Sequence, residues 1–269
     1  MMDTITAIEN VKIEDYPRGH LGASQIGHPC MRYLVYKFHW AYKESHSPQL
    51  IRIFAMGNAV EQIIIDAIKS ANIHVKSTQL QIDRGEYGHE GGSIDGIVTN
   101  VPEHPGEDLL FEGKSMNQNN FSKVVKYGVK EAKPMHYSQM QKYLGKLKLL
   151  HSMYVVLNKN TCELYIEFVK YDHTHYLLME MKGKEIIEAT RINEFMKLSK
   201  NESWYECKGC DAREVCHKNA KIPSNCRTCK NVEKHSEGEW VCSINNYKVL
   251  SLTEQKKGCD QWDLAAMWM

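Results

Sequence analysis

Two carboxylates and a lysine stand inside apolar runs of this sequence. In "EGGSIDGIVTN" Asp95 lies between Ile94 and Ile97; in "DLLFEGKS" Glu112 follows Leu109, Leu110 and Phe111, two residues before Lys114. A charge in a buried strand is costly unless something pairs with it. Strand residues two apart share a face, so Glu112 and Lys114 project together, and Asp95 joins them if its strand pairs with theirs. Two carboxylates beside one ammonium make a place for a divalent cation. Oxygen ligands favour magnesium or manganese, which keep waters and meet substrate phosphates. Such an ion polarises a phosphate and activates a bound water, while the lysine orients that water or offsets developing charge. The chemistry these residues imply is phosphodiester hydrolysis. The competing reading is an ordinary salt bridge between Lys114 and one acid.

The elements that must position these groups are readable from spacing. Residues 48–71 follow a Ser-Pro start with apolar side chains at helical intervals and carry Glu61 beside the expected sheet. Three strand-like runs follow, "IHVKSTQLQID", "GSIDGIVTNV" and "DLLFEGKS", with "VPEHPGED" as a loop between the last two. "NFSKVVKYGVKEA" and "PMHYSQMQKYLGKLKLL" read as helices, and Gln139 and Tyr143, four apart, share one face of the second. "SMYVVLNK" and "CELYIEFVKY" alternate like a hairpin turning at Asn-Lys-Asn, with Cys162 as a buried small hydrophobe. A long helix is expected over 173–200. This order predicts a mixed α/β core, a central mixed sheet flanked by helices.

The composition, 42% hydrophobic and 25% charged, is that of a soluble globular chain, and the length allows one or two domains. With no apolar run of membrane-spanning length and no signal pattern in "MMDTITAIENVKIEDYPRGH", a cytoplasmic location is expected. The net charge of +1 names no partner by itself, but its distribution does. Residues 117–150 hold Lys123, Lys126, Lys130, Lys133, Lys142, Lys146 and Lys148 against the single acid Glu131. Tyr127, His136, Tyr137 and Tyr143 interleave with them and could stack on bases or touch sugars. Placed just after the acid–lysine pair, the tract reads as a phosphate track that contacts DNA backbone without reading sequence; the bland alternative is a solvated helical face.

Asp95, Glu112-x-Lys114 and Gln139-xxx-Tyr143, with Glu61 upstream, resemble the PD-(D/E)XK nuclease superfamily, most closely its RecB-type and lambda-exonuclease-like branch. The resemblance covers most of residues 24–216. Ile94 stands where the motif has proline, which leaves the metal ligand intact. The resemblance implies a restriction-endonuclease-like fold, with Asp95 and Glu112 holding Mg2+ or Mn2+ and Glu61 as an auxiliary ligand. It also implies that Lys114 positions the attacking water while Gln139 and Tyr143 support the site or the substrate strand.

Nine cysteines are present, seven of them after residue 206, and without a secretory signal the two CxxC pairs point to metal rather than disulfides. Cys207-x2-Cys210-x5-Cys216, with Cys30 far upstream, is similar to the iron–sulfur nucleases, the AddB-type domains and the CRISPR-associated adaptation nucleases. In those, four thiolates bind one [4Fe–4S] cluster that joins the two ends of the nuclease fold; the likeness assigns Cys30, Cys207, Cys210 and Cys216 to such a cluster. Cys226-x2-Cys229-x12-Cys242-x16-Cys259 forms a second, zinc-ribbon-like set in a polar tail that needs a metal to fold. His217 or His235 can substitute for a cysteine there, and a second iron–sulfur cluster fits the same ligand count.

The expected organisation is a nuclease domain over 1–221, closed by the cluster, and a metal-stapled module over 222–269. The expected function is a metal-dependent deoxyribonuclease, an exonuclease that processes DNA ends in replication, recombination or repair, with a protein of those processes as a partner. Lys123, Lys126, Lys130, Lys142 and Lys146 are the expected DNA contacts. Two rivals stand beside it: a structure-specific endonuclease, and a non-catalytic nucleic-acid-binding protein on a nuclease scaffold.

Overall fold

The computed structural model describes residues 3–9, 18–43 and 46–269. The N-terminal stretch read for a signal pattern therefore lies partly outside the described residues. Two compact units are each assembled from separated stretches. The first comprises 3–9, 46–82 and 92–179; the second comprises 18–43, 83–91 and 180–269.

The first unit carries a five-stranded mixed sheet, β1 (His74–Ser77), β2 (Gly96–Thr99), β3 (Leu109–Met116), β4 (His151–Asn158) and β5 (Leu164–Lys170), in that spatial order. β3 and β4 run parallel, and the other neighbours are antiparallel. A parallel pair needs a long crossover, supplied here by α2 (Gln118–Ala132) and α3 (Pro134–Leu147). α1 (Pro48–Ser70) precedes the sheet; its Ser47 cap accepts the Leu50 N–H at 3.2 Å, and proline fills the first turn. The mixed α/β core expected from the element order is what forms.

The core sits between α1 and the sheet. Ile64, Ile65 and Ile68 pack against Val98, Leu109, Phe111, Met153, Val155 and Leu157. Each such side chain contributes roughly 1.5–3 kcal/mol when fully buried. Because successive strand residues alternate faces, this apolar face leaves Glu112 and Lys114 on the opposite side of β3. Gly96 lets β1 approach β2 beside Asp95, since a Cβ there would lie 2.9 Å from the Ser77 carbonyl oxygen.

Local expectations failed where tertiary contacts intervene. α2 is kinked at Gly128, whose φ is 73°, and the next N–H, on Val129, donates to Glu167 Oε2 at 2.8 Å. The helix expected over 173–200 ends at Ile187. Beyond it, the Ile192 and Phe195 carbonyls accept from Arg32 Nη1 at 2.9 and 3.0 Å instead of from a further helical turn. Cys162 is exposed rather than buried, at φ 63° in the β4–β5 turn.

The second unit is built of short elements: the helix Met31–Phe38, paired strands Leu21–Gly22 and Glu90–Gly91, and a three-stranded antiparallel sheet over 232–249. Its centre is Arg227, inside the Cys226–Cys229 knuckle. The buried guanidinium lies 3.9 Å from the Trp40 ring centroid and 4.7 Å from that of Trp240. It donates to the Phe38 and Gly19 carbonyls at 2.9 Å each and to Gln255 Oε1 at 2.8 Å. Among the described residues, no helix is long and apolar enough to cross a membrane.

Candidate active site

Asp95 precedes the first residue of β2, and its Oδ2 accepts the Gly113 N–H of β3 at 2.9 Å. That bond ties the Asp95 carboxylate to the strand that carries Glu112 and Lys114. Lys114 Nζ lies 2.5 Å from Glu112 Oε1 and 3.6 Å from Asp95 Oδ2. The three charged groups expected from alternation therefore meet.

Their electrostatics are those of a cation site. Glu112 is 0% exposed, and its Oε2 has no hydrogen-bond partner. Oε1 faces the Lys114 ammonium at 2.5 Å. Burial pushes the Glu112 carboxyl up to about 7 despite Lys114, with Asp95 and Glu61 adding repulsion. Burial acts to lower Lys114 too, but Glu112 and Asp95 outweigh it and hold the ammonium well above its ordinary range. Burial and then the Asp95 charge raise Glu61. Among the described residues, the oxygens of Glu61, Asp95 and Glu112 do not all lie within 4.8 Å of one another, so an ion held by all three requires them to draw together.

Glu61 projects from α1, and Gln79 connects it to the rest. Gln79 Nε2 donates to Glu61 Oε1 at 3.0 Å, and its Oε1 accepts from Ser93 Oγ at 3.0 Å. The Ser93 carbonyl accepts the Tyr143 hydroxyl at 3.0 Å, and Gln139 Nε2 reaches that hydroxyl at 3.5 Å. Gln139 and Tyr143 thus pin the backbone two residues before Asp95. Gln79 and Ser93 escaped the sequence reading. The signal available was only a polar pair within strand-like runs; the left-handed φ of 54° at Gln79 is invisible in sequence. His136 Nδ1 lies 2.7 Å from the Tyr154 hydroxyl, another pair the spacing did not reveal.

The lysine tract is partly a surface. Lys123, Lys126 and Lys130 on α2 are exposed. Lys142 is 1% exposed, so burial removes it from the expected phosphate track, while Lys146 is half-buried. Tyr137 and Tyr143 are buried and cannot stack on bases; Tyr127 is exposed.

Both cysteine sets lie within the second unit. Cys30 caps the helix Met31–Phe38, its sulfur accepting the Tyr33 N–H at 3.4 Å. With Cys207, Cys210 and Cys216 it lines one cavity walled by Tyr33, Tyr36 and Leu198. Burial, followed by the charges of Cys30, Asp211 and Cys216, raises the Cys210 thiol to about 11. In the tail, burial and then the charges of Cys259, Cys229 and Cys242 raise Cys226 to about 11. At Cys210 and Cys226 the neighbouring sulfurs oppose ionisation, which a cationic centre would offset in either place. Among the described residues, neither set has three sulfurs within 4.8 Å of one another. A tetrahedral zinc would hold its sulfurs about 3.8 Å apart, so zinc in the tail requires those sulfurs to draw together.

The raised Glu112 carboxyl sets a pH dependence. A carboxyl whose folded pKa exceeds its ordinary 4.5 contributes stability that is complete below that value and is lost as pH rises through about 7. Metal-free protein should therefore lose stability relative to Glu112→Gln over this window, read by chemical denaturation. Mg2+ must displace the same proton, so its affinity should tighten by up to about tenfold per pH unit below 7 and level off above. A flat titration-calorimetry profile from pH 5 to 8 would contradict the assignment.

No family model matches the sequence, and no curated protein does. Among solved structures, the alkaline exonuclease LHK-Exo from Laribacter hongkongensis is similar at 17% identity, covering 64% of this chain and 87% of that one, with a TM-score of 0.49. Its complex with dAMP gives 18% identity, 63% and 86% coverage and a TM-score of 0.48. SSO0001 gives 15% identity, 81% and 92% coverage and a TM-score of 0.47. At these identities and scores the likenesses carry no functional argument. The residues of the site carry it.

Proposed function

We propose that this chain is a PD-(D/E)XK-type, Mg2+- or Mn2+-dependent deoxyribonuclease that acts on DNA ends. The observation behind this reading is the buried Glu112, with an orphaned oxygen, beside Lys114 and Asp95. Asp95 and Glu112 would hold the ion, with Glu61 as the auxiliary carboxylate. The ion supplies Lewis acidity and an activated water. Lys114, beside both carboxylates, would position the attacking water or offset charge developing on the scissile phosphate. Gln79 keeps Glu61 directed at the site, and Tyr143 steadies the backbone that presents Asp95. Cys30, Cys207, Cys210 and Cys216 would bind the [4Fe–4S] cluster, and the tail cysteines zinc or a second cluster. The resemblance implies that such an enzyme would serve replication, recombination or repair.

The test is a time course on end-labelled single- and double-stranded DNA beside a closed circle, with Mg2+ or Mn2+ against EDTA. Metal-dependent release of short products from ends, with the circle intact, is expected. Circle cleavage would favour a structure-specific endonuclease. Tight binding with no cleavage would favour a non-catalytic scaffold.

Single-stranded binding, measured in Ca2+, should weaken with salt at a log–log slope of about −0.7 per neutralised phosphate. Replacing Lys123, Lys126 and Lys130 together with glutamine should flatten that slope by roughly 2. An unchanged slope returns the tract to a solvated face.

A further inference from the structure

Apart from the carboxylates around Lys114 and the two cysteine sets, the first unit holds a donor set of a different kind. We propose that His104, Glu107 and His151 form a metal site for a zinc-type transition-metal ion, which staples the β2–β3 connection to the start of β4. Their ligand atoms all lie within 4.8 Å of one another, and among the described residues they are the one such group of three. Glu107 is central: its Oε1 lies 2.6 Å from His151 Nδ1 and its Oε2 2.9 Å from His104 Nδ1. The two imidazole rings are 4.5 Å apart, and the His104 ring rests 4.8 Å from that of Phe168.

The donor chemistry selects the ion. Two imidazoles and one carboxylate are a zinc set with one position left for water, whereas Mg2+ and Ca2+ prefer oxygen alone. Bonds of 2.0–2.1 Å in a tetrahedron separate ligand atoms by about 3.3 Å. The two Glu107 edges, 2.6 and 2.9 Å, would have to open by about 0.7 and 0.4 Å to reach that spacing.

The backbone is already arranged for it. The His104 N–H donates to the Val101 carbonyl at 3.0 Å, and the Glu107 N–H to the His104 carbonyl at 3.3 Å. Thr99 Oγ1 donates to the Glu107 carbonyl at 3.3 Å. The side chains are 18%, 28% and 24% exposed for His104, Glu107 and His151, open enough for an ion to enter. Since Glu107 lies just before β3 and His151 begins β4, a bound ion would clamp the parallel pair at its start, at the opposite end of β3 from the turn into α2. The proposal does not depend on the nuclease reading.

Zinc titration of the whole chain tests it, with His104→Gln and His151→Gln compared against wild type by equilibrium dialysis and thermal melting. Each variant is expected to bind one equivalent fewer. At zinc 100-fold above Kd, wild type should gain about 5–10 °C more in Tm than either variant. The cobalt difference spectrum, wild type minus variant, should show visible bands without sulfur-to-metal charge transfer. Equal equivalents and equal shifts would overturn the site, leaving a hydrogen-bonded triad. Should either variant fold poorly, the wild type supplies the answer through diethyl pyrocarbonate labelling. Zinc is expected to protect His104 and His151 from modification, and unchanged modification of both overturns the proposal.

Discussion

Asp95→Asn and Lys114→Met are each expected to reduce metal-dependent DNA cleavage on the order of 10³-fold while DNA binding in Ca2+ survives. Asn at 95 keeps an oxygen that can accept the Gly113 N–H, so the β2–β3 junction persists while half of the anionic pair disappears. What is lost is charge on the ion and, with it, activation of the bound water. Some repulsion toward phosphate goes too, so binding holds or improves. Lys114→Met removes the ammonium 2.5 Å from Glu112 and 3.6 Å from Asp95, keeping most of the stem's volume. Two carboxylates then face each other without a cation, and Glu112, already raised to about 7, must rise further. Metal affinity below neutral pH should therefore fall in Lys114→Met, whereas Asp95→Asn should weaken metal binding at every pH. Cleavage by Asp95→Asn at the wild-type rate, with contaminating nuclease excluded by an active-site double variant, would remove Asp95 from the site.

The acid–lysine centre was legible because strand alternation is local: Glu112 and Lys114 share a face whatever else the chain does. The same holds for Gln139 and Tyr143 on α3. What escaped was set by distance in sequence. Gln79 and Ser93 matter because one meets Glu61 and the other presents its carbonyl to Tyr143. Lys142 looked like part of a basic face because charge counting ignores which side of α3 is covered, and there it is the buried side. The end of the last long helix depends on Arg32, some 160 residues upstream, taking the Ile192 carbonyl. His104, Glu107 and His151 drew no notice because a loop and a strand end share no periodicity.

Cys30→Ser is expected to abolish the broad absorption near about 400 nm of a thiolate-bound iron–sulfur centre in anaerobically purified protein. It should also lower the unfolding midpoint of the unit that holds it. Cys30 and Cys207 lie far apart in the chain yet line one cavity, so a shared cluster closes a long loop, and loop closure of that length stabilises most in principle. Cys229→Ser should leave that absorption in place, since Cys226, Cys229, Cys242 and Cys259 form a separate set. The Arg227 guanidinium, held between Trp40 and Trp240, anchors the tail knuckle independently of metal, so Cys229→Ser should cost tail order more than global stability. Metal analysis in the His104→Gln background, which removes the zinc site proposed in the first unit, should then give about four irons and one zinc per chain. The same analysis should give about four irons and no zinc for Cys229→Ser. Eight irons without zinc would make the tail a second cluster. Two zincs without colour, unchanged by anaerobic reconstitution with iron and sulfide, would make the Cys30 set a zinc site. The drawing-in of sulfurs that zinc requires would then extend to Cys30, Cys207, Cys210 and Cys216 as well.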